Sequence, residues 1–341
     1  MAKSIPAPSV NTVHPLKPQH QWLTTTELQI LFAIAFLAIL FSLLFPESFA
    51  TMTTANNMAR VAGILAVVSI GQSFALIVGG FDISVGAIMG LASVVGALLM
   101  KQGVDVPMAA LLGVLAGTVV GLINGIGIAL FRVTPFVMTL GVLTITSGLA
   151  NQLANGGTII GLPRALSMLG RSNWGSIPSA AAIAIIVLLV AWFLMQRTRI
   201  GLYIYAIGGS RETARVAGVA VKAYEMLAYV LCGTFAGMAG IMLTSRVSVA
   251  QGSLGQGYDL LSIATAVIGG VVIGGGIGRF TGVVLGVVFI TLLTTGLDIA
   301  GVNPFIQQMI TGAVLVVAVI ISRARGMGFA AFKRFFMPAR P

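Results

Sequence analysis

Residues 107–136 read PMAALLGVLAGTVVGLINGIGIALFRVTPF. Residues 107–131 carry no charged side chain, and a bilayer crossing needs about 20 mostly apolar residues, so this stretch spells a transmembrane helix that stops at Arg132. Its glycines Gly113, Gly117, Gly121 and Gly125 recur every four residues, which puts a bare strip along one helical face. Backbones can then approach closely, and apolar helices associate in lipid by such packing. Static packing and a sliding interface are both compatible with the strip.

The same layout returns later. Residues 106–145 align without gaps onto 275–314, matching Gly113 to Gly282, Gly117 to Gly286, Gly127 to Gly296, and Val133, Pro135 and Phe136 to Val302, Pro304 and Phe305. The second copy carries its own strip at Gly278, Gly282 and Gly286. Phe81-Asp82-Ile83 opens one span much as Tyr258-Asp259-Leu260 opens another. Spans are expected near 28–46, 58–79, 83–101, 107–131, 135–152, 178–196, 223–243, 259–274, 279–298 and 304–322. Spans two to five then repeat as spans seven to ten. The offset of five spans is odd, so the copies lie inverted, an arrangement found in transporters with the substrate path at the repeat interface.

Composition agrees. The 341 residues are 57% hydrophobic and 8% charged, with mean hydropathy +1.04, against roughly 25% charged in a soluble domain. The expected fold is an all-α polytopic membrane protein of about ten helices with both termini cytoplasmic. It comprises a tail at 1–27, one transmembrane domain at 28–322 with a cytoplasmic loop at 197–222, and a basic tail at 323–341. This orientation puts 14 of the 19 basic residues inside, as the positive-inside rule requires. The net charge of +11 is thereby mostly a topology signal; the basic residues are spread between spans and form no nucleic-acid patch. Ser48-Phe49-Ala50 weakly resembles a signal-peptidase site, but the run before it reads as a retained first span. Trp174, in the long outer loop, fits the membrane interface.

Catalytic chemistry has few candidates. Cys232 lies in an apolar stretch, and His14 and His20 lie in the N-terminal tail, with no metal-site spacing. The run Gly269–Gly278 lacks the Gly-Lys-Ser/Thr of a phosphate loop. No bound cofactor is expected, and any ATP and magnesium belong to a partner.

Asp82, Asp259 and Asp298 are the acidic residues near membrane depth, with Glu47 at a span end. Such residues invite a functional hypothesis. Asp82 follows Gly79-Gly80 and precedes Ser84, which reads as a helix break and an N-cap. Asp82 is therefore either a cap or part of a path, and Asp259 carries the same two readings at the outer side. Gln72, Ser84, Asn124 and Asn151 complete the polar candidates, either hydrogen-bonding between helices or lining a hydrophilic path. The scarcity of charge within the spans suits a neutral substrate.

The inner loop holds Gly208-Gly209-Ser210-Arg211-Glu212-Thr213-Ala214-Arg215-Val216-Ala217-Gly218. Ser210 can cap a short helix and Gly218 can stop it. That helix is either a docking element, with Arg211 and Glu212 at the contact, or a plain connector.

Three segments resemble the ribose/xylose/galactose-type permeases of bacterial ATP-binding cassette (ABC) importers. They are Gly79–Gly86; Gly121–Gly125 with Thr134-Pro135-Phe136 and Thr139-Leu140-Gly141; and Ala206–Gly218. Ser210 stands where that family usually has Asn, and Thr213 where it often has Ala. The resemblance implies a monosaccharide permease of the bacterial inner membrane, paired with a second permease that is a copy or a relative. It further implies a periplasmic sugar-binding protein outside, and an ATPase inside docked on Gly208–Gly218. Same-build permeases for branched-chain amino acids, nucleosides or a sugar-derived signal are the main rivals. An ion-coupled secondary transporter expects coordinating groups at mid-membrane, and a membrane enzyme expects a catalytic constellation.

Overall fold

The computed structural model describes residues 25–326, so His14, His20 and most of both tails lie outside the described residues. The chain folds into α1 (Thr25–Leu44), α2 (Met52–Ile77), α3 (Val85–Lys101), α4 (Val106–Ala129), α5 (Pro135–Leu153) and α6 (Ser179–Arg197). There follow α7 (Arg199–Gly209), α8 (Arg211–Val216), α9 (Val221–Val247), α10 (Tyr258–Ile268), α11 (Phe280–Ile299) and α12 (Pro304–Gly326). Between α5 and α6 a 3-10 turn at Arg164–Leu169 and a hairpin pairing Trp174 with Ile177 fill the long connection.

Seven of the described helices are long and apolar enough to cross a membrane: α1, α2, α4, α5, α6, α9 and α11. The apolar stretches Val85–Lys101, Tyr258–Ile268 and Pro304–Ile320, in α3, α10 and α12, are shorter. Helix starts follow local chemistry. Thr51 accepts a hydrogen bond from the Thr54 amide (3.1 Å), so α2 begins earlier than its apolar run. Pro135 and Pro304 open α5 and α12, where their missing N–H costs nothing.

The sequence expectation for the eighth span, 259–274, is too long. Helix α10 ends at Ile268, and Gly270, Gly274, Gly275 and Gly276 all adopt positive φ. An irregular glycine loop therefore leads into α11. The inner loop also differs from expectation: it holds two helices, α7 as well as the short α8.

Helices α2 and α9 form the centre. The apolar window of α2 is 83% buried, against 22% for α5 at the periphery. Phe74 of α2 stacks on Phe235 of α9 (5.9 Å between centroids) and tilts against Phe280 of α11 (5.4 Å). Helix α9 packs on α4 and α3, while α2 packs on α11 and α10; α3 meets α4 and α5, and α10 meets α11 and α12. The glycines set how close these helices come. A Cβ on Gly121 would lie 2.4 Å from the Tyr229 carbonyl oxygen of α9, and one on Gly233 would lie 2.5 Å from the Gly117 oxygen of α4. On α11, Gly282 and Gly286 meet Gly269 and Thr265 in the same manner.

Candidate functional site

The six polar candidates fall into two groups. Gln72, Asp82, Ser84 and Asn124 meet in a knot with no solvent exposure. Asp82 Oδ1 accepts from the Ser84 amide (2.8 Å) and the Ser84 hydroxyl (2.5 Å), and Asp82 Oδ2 accepts from Asn124 Nδ2 (3.0 Å). Asn124 Nδ2 also donates to Ser84 Oγ (2.9 Å). With its amide oriented to satisfy its neighbours, Gln72 donates to the Asp82 carbonyl (3.1 Å) and accepts from the Asp82 amide (3.0 Å). Asp82 thus holds the residue that precedes α3, and ties the end of α2 and the middle of α4 to it. Its donors are all neutral. The Ser84 side chain makes no cap bond to the α3 amides.

Asn151 and Asp259 form the second group, in the last turn of α5 and the first turn of α10. Together with Gly86, Ala87, Ser147, Gly252, Ser253 and Gln256 they line a cavity of about 350 Å³. A second cavity, of about 740 Å³, adjoins it at Ser253 and Gln256 and runs between α10, α11 and α12. Gln251, Tyr258, Gln307 and Gln308 line this second space. None of these four belongs to the sequence candidates. Exposed glutamines at a span end carry no pattern of their own, and only the approach of α12 to α10 gathers them. Among the described residues, no Lys or Arg lines either cavity.

Between α6 and α9, Ser210 Oγ accepts from the Thr213 amide (3.2 Å), capping α8, and Gly218 closes it with φ +81°. Ala214 is buried, while Glu212 and Arg215 are exposed and pair with each other (2.6 Å). Arg211 is half exposed and pairs with Glu225 of α9, whose side chain is buried. The carboxylates of Glu225 and Glu27 are absent from the sequence candidates. The structure buries both beside arginines: Glu27 sits 3.5 Å from Arg279 and accepts from the Thr281 hydroxyl (2.7 Å). Acidic residues near a span end look solvated in sequence; the arginine partner of Glu225 is 14 residues away, and that of Glu27 lies near the other end of the chain.

Helix α7 turns inward, with Ile204 and Ile207 buried. Its end, Gly208, is pressed between the Ile77 carbonyl of α2 and the glycine loop: a Cβ there would lie 1.9 Å from Ile77 O and 2.3 Å from Gly276 N. The Gly276 amide donates to Ile77 O (2.9 Å), and the Tyr205 hydroxyl donates to Gly278 O (2.6 Å). Burial raises the Tyr205 phenol above its ordinary pKa, against an opposing pull from Arg279, so it stays protonated as a donor. The segment leading to α8 is thereby bolted to the end of α2 at Ile77, five residues before Asp82.

The chain matches the family described as branched-chain amino acid transport system / permease component over residues 54–319. It is 36% identical over 291 residues to the ribose import permease protein of Bacillus subtilis (strain 168), covering 85% of this chain and 90% of that one. Identity to the D-allose transport system permease protein of Escherichia coli (strain K12) is 33% over 293 residues, 86% and 90% of the two chains. With the galactose/methyl galactoside import permease protein of Haemophilus influenzae (strain ATCC 51907 / DSM 11121 / KW20 / Rd) it is 32% over 296 residues, 80% and 87% of the two. No solved structure matches.

Proposed function

The chain belongs to the family described as branched-chain amino acid transport system / permease component, and on that footing we propose that it is the membrane-spanning permease subunit of an ABC importer for a monosaccharide. It is a multi-pass membrane protein. The observation that carries the substrate class is that permeases named for ribose, allose and galactose match it along most of their length and its own.

The ten-span, inverted-repeat arrangement is part of this reading. Its support is the matched packing of α2–α5 and α9–α12. Helix α2 meets α9, each also meets the second and third helices of the other set (α2 on α10 and α11, α9 on α3 and α4), and α3 and α10 meet the two helices that follow them. Both termini lie in the cytoplasm of the cell whose inner membrane the chain spans, which puts α8 and the Glu212–Arg215 pair on the inner face. An ATPase subunit docks there and supplies the ATP and magnesium chemistry; this chain binds no cofactor. A periplasmic binding protein delivers sugar to the outer ends of α5, α10 and α12, and a second permease, copy or relative, completes the pore. The domain limits 1–27, 28–322 and 323–341 are carried with this topology. Asn151 and Asp259 line the path, and Gln72, Asp82, Ser84 and Asn124 hold the break before α3 that faces it.

Uptake of labelled pentoses and hexoses by cells carrying the permease with its neighbouring genes tests the reading. Uptake of a sugar that stops on ATP depletion and ignores a protonophore at fixed ATP is expected. Uptake that persists without ATP overturns it in favour of an ion-coupled carrier. A branched-chain amino acid is the second reading, favoured by the family's description. Its carboxylate would find no cationic side chain among the described residues of the two outer cavities, so leucine and valine belong in the same uptake panel.

A further inference from the structure

The two outer cavities gather polar side chains: four glutamines, one asparagine and one aspartate converge at the termini of α5, α10 and α12, and Asn151, Gln256 and Gln308 are exposed there. Some of their groups are already engaged. Gln251 Oε1 accepts from Thr158 (3.1 Å), and Gln307 Nε2 donates to Asp298 Oδ1 (2.7 Å) and to Val302 O (2.9 Å). These two glutamines fix the walls.

The remaining groups have no such duty. Among the described residues, the side chains of Asn151, Gln256, Gln308 and Asp259 make no hydrogen bond, and all four line the joined space. The larger cavity, about 740 Å³, falls within the roughly 300–1,000 Å³ typical of small-molecule sites. Tyr258 gives it an aromatic wall beside Leu260 and Leu261. The two chambers meet at Gln256, so one ligand can touch Tyr258 in the larger and Asp259 in the smaller.

We propose that this joined crevice is a monosaccharide subsite within the permease itself, with Gln256 and Asp259 as determinants of which sugar passes. The chemistry matches in kind. A ring sugar offers an apolar C–H surface to an aromatic or aliphatic wall and a rim of hydroxyls that both donate and accept. Gln256 and Asn151 can do both for those hydroxyls, and Asp259 accepts from two of them at once. Among the described residues, neither cavity carries a cation to demand an anionic ligand. The inference rests on the monosaccharide-importer reading and adds a selectivity step after release from the binding protein.

The test uses the whole importer, with its ATPase and binding protein, in proteoliposomes. Initial uptake of D-ribose and of D-galactose is measured separately for wild type, Gln256→Ala and Asp259→Asn. The quantity read is the ratio of kcat/KM for the two sugars, which a change in the amount of folded transporter leaves untouched. Loss of a hydrogen bond to a charged or amide group predicts a change of about tenfold in that ratio for at least one variant. An unchanged ratio in both variants overturns the subsite, whether uptake of the two sugars is normal or falls by a common factor. In the common-factor case the cluster serves packing or an interface. If wild type takes up neither of these nor any other monosaccharide, the importer reading itself falls and the subsite falls with it.

Discussion

Two adjacent glycines at the end of α7 give opposite predictions. A Cβ on Gly208 would sit 1.9 Å from the Ile77 carbonyl oxygen and 2.3 Å from the Gly276 amide nitrogen, about 1.5 Å short of ordinary contact with the first. A Cβ on Gly209 would meet nothing within 4 Å. Alanine is favoured over glycine inside a helix by roughly 0.8–1.0 kcal/mol, so Gly209→Ala gains up to that amount near the helix end. Gly208→Ala gains the same and loses more. Its obstacles are backbone atoms of two other segments, and overpacking of this kind costs about 1–3 kcal/mol. Taken at the upper end of that range, because the obstacles are backbone, the net loss is about 2 kcal/mol, a roughly thirtyfold drop in the population of the closed joint. The assay is ATP hydrolysed per sugar transported by the reconstituted importer, with thermal unfolding of the purified permease alongside. Gly209→Ala is expected to match wild type in both. Gly208→Ala is expected to melt earlier and to hydrolyse several times more ATP per sugar, because α8 can then move without carrying the end of α2. Equal coupling ratios in the two variants would refute the claim that this glycine contact transmits motion. Equal melting would refute the packing argument beneath it.

Three further outcomes follow from contacts elsewhere. Asn124→Leu removes the donor to Asp82 Oδ2 and to Ser84 Oγ inside a sealed site, and is expected to destabilise the permease by about 1–3 kcal/mol, read as an earlier unfolding transition in detergent. Exchanging the exposed pair as Glu212→Arg with Arg215→Glu keeps a mutual i,i+3 salt bridge while inverting the charge pattern of α8; membrane insertion should be intact, and co-purification of the ATPase and uptake should be lost. Reversing Arg211 is a poorer probe of docking, since it would set a carboxylate against buried Glu225. Gly121→Leu drives α4 from the α9 backbone, where even a Cβ would come within 2.4 Å, and is expected to abolish recovery of folded protein. Gly148→Ala, with no neighbour within 4 Å, should leave yield unchanged.

Much of the fold is written in short-range terms. Runs of apolar residues mark where helices lie, Pro135 and Pro304 mark where two of them start, and Ser210 and Gly218 bracket α8 as their capping chemistry requires. The glycine strip on α4 follows from a four-residue period, because neighbours on a helical face are fixed by 3.6 residues per turn. The match of 106–145 to 275–314 is visible for the same reason. It compares one stretch of chain with another and needs no knowledge of what either touches. Sequence likewise picks out Asp82, since a carboxylate after two glycines between apolar runs is conspicuous anywhere. The partners of these groups are another matter. That Asp82 is closed off by Asn124 while Asp259 opens on a cavity, that α10 stops at Ile268, and that Gly208 wedges against Ile77 and Gly276 are facts about groups brought together from distant parts of the chain. So are the burial of Glu27 and Glu225 and the gathering of Gln256 and Gln308 with Asn151. Local propensity and periodicity constrain residues a few positions apart, whereas these meetings depend on the distances and angles at which whole helices pack, and only the tertiary structure decides those.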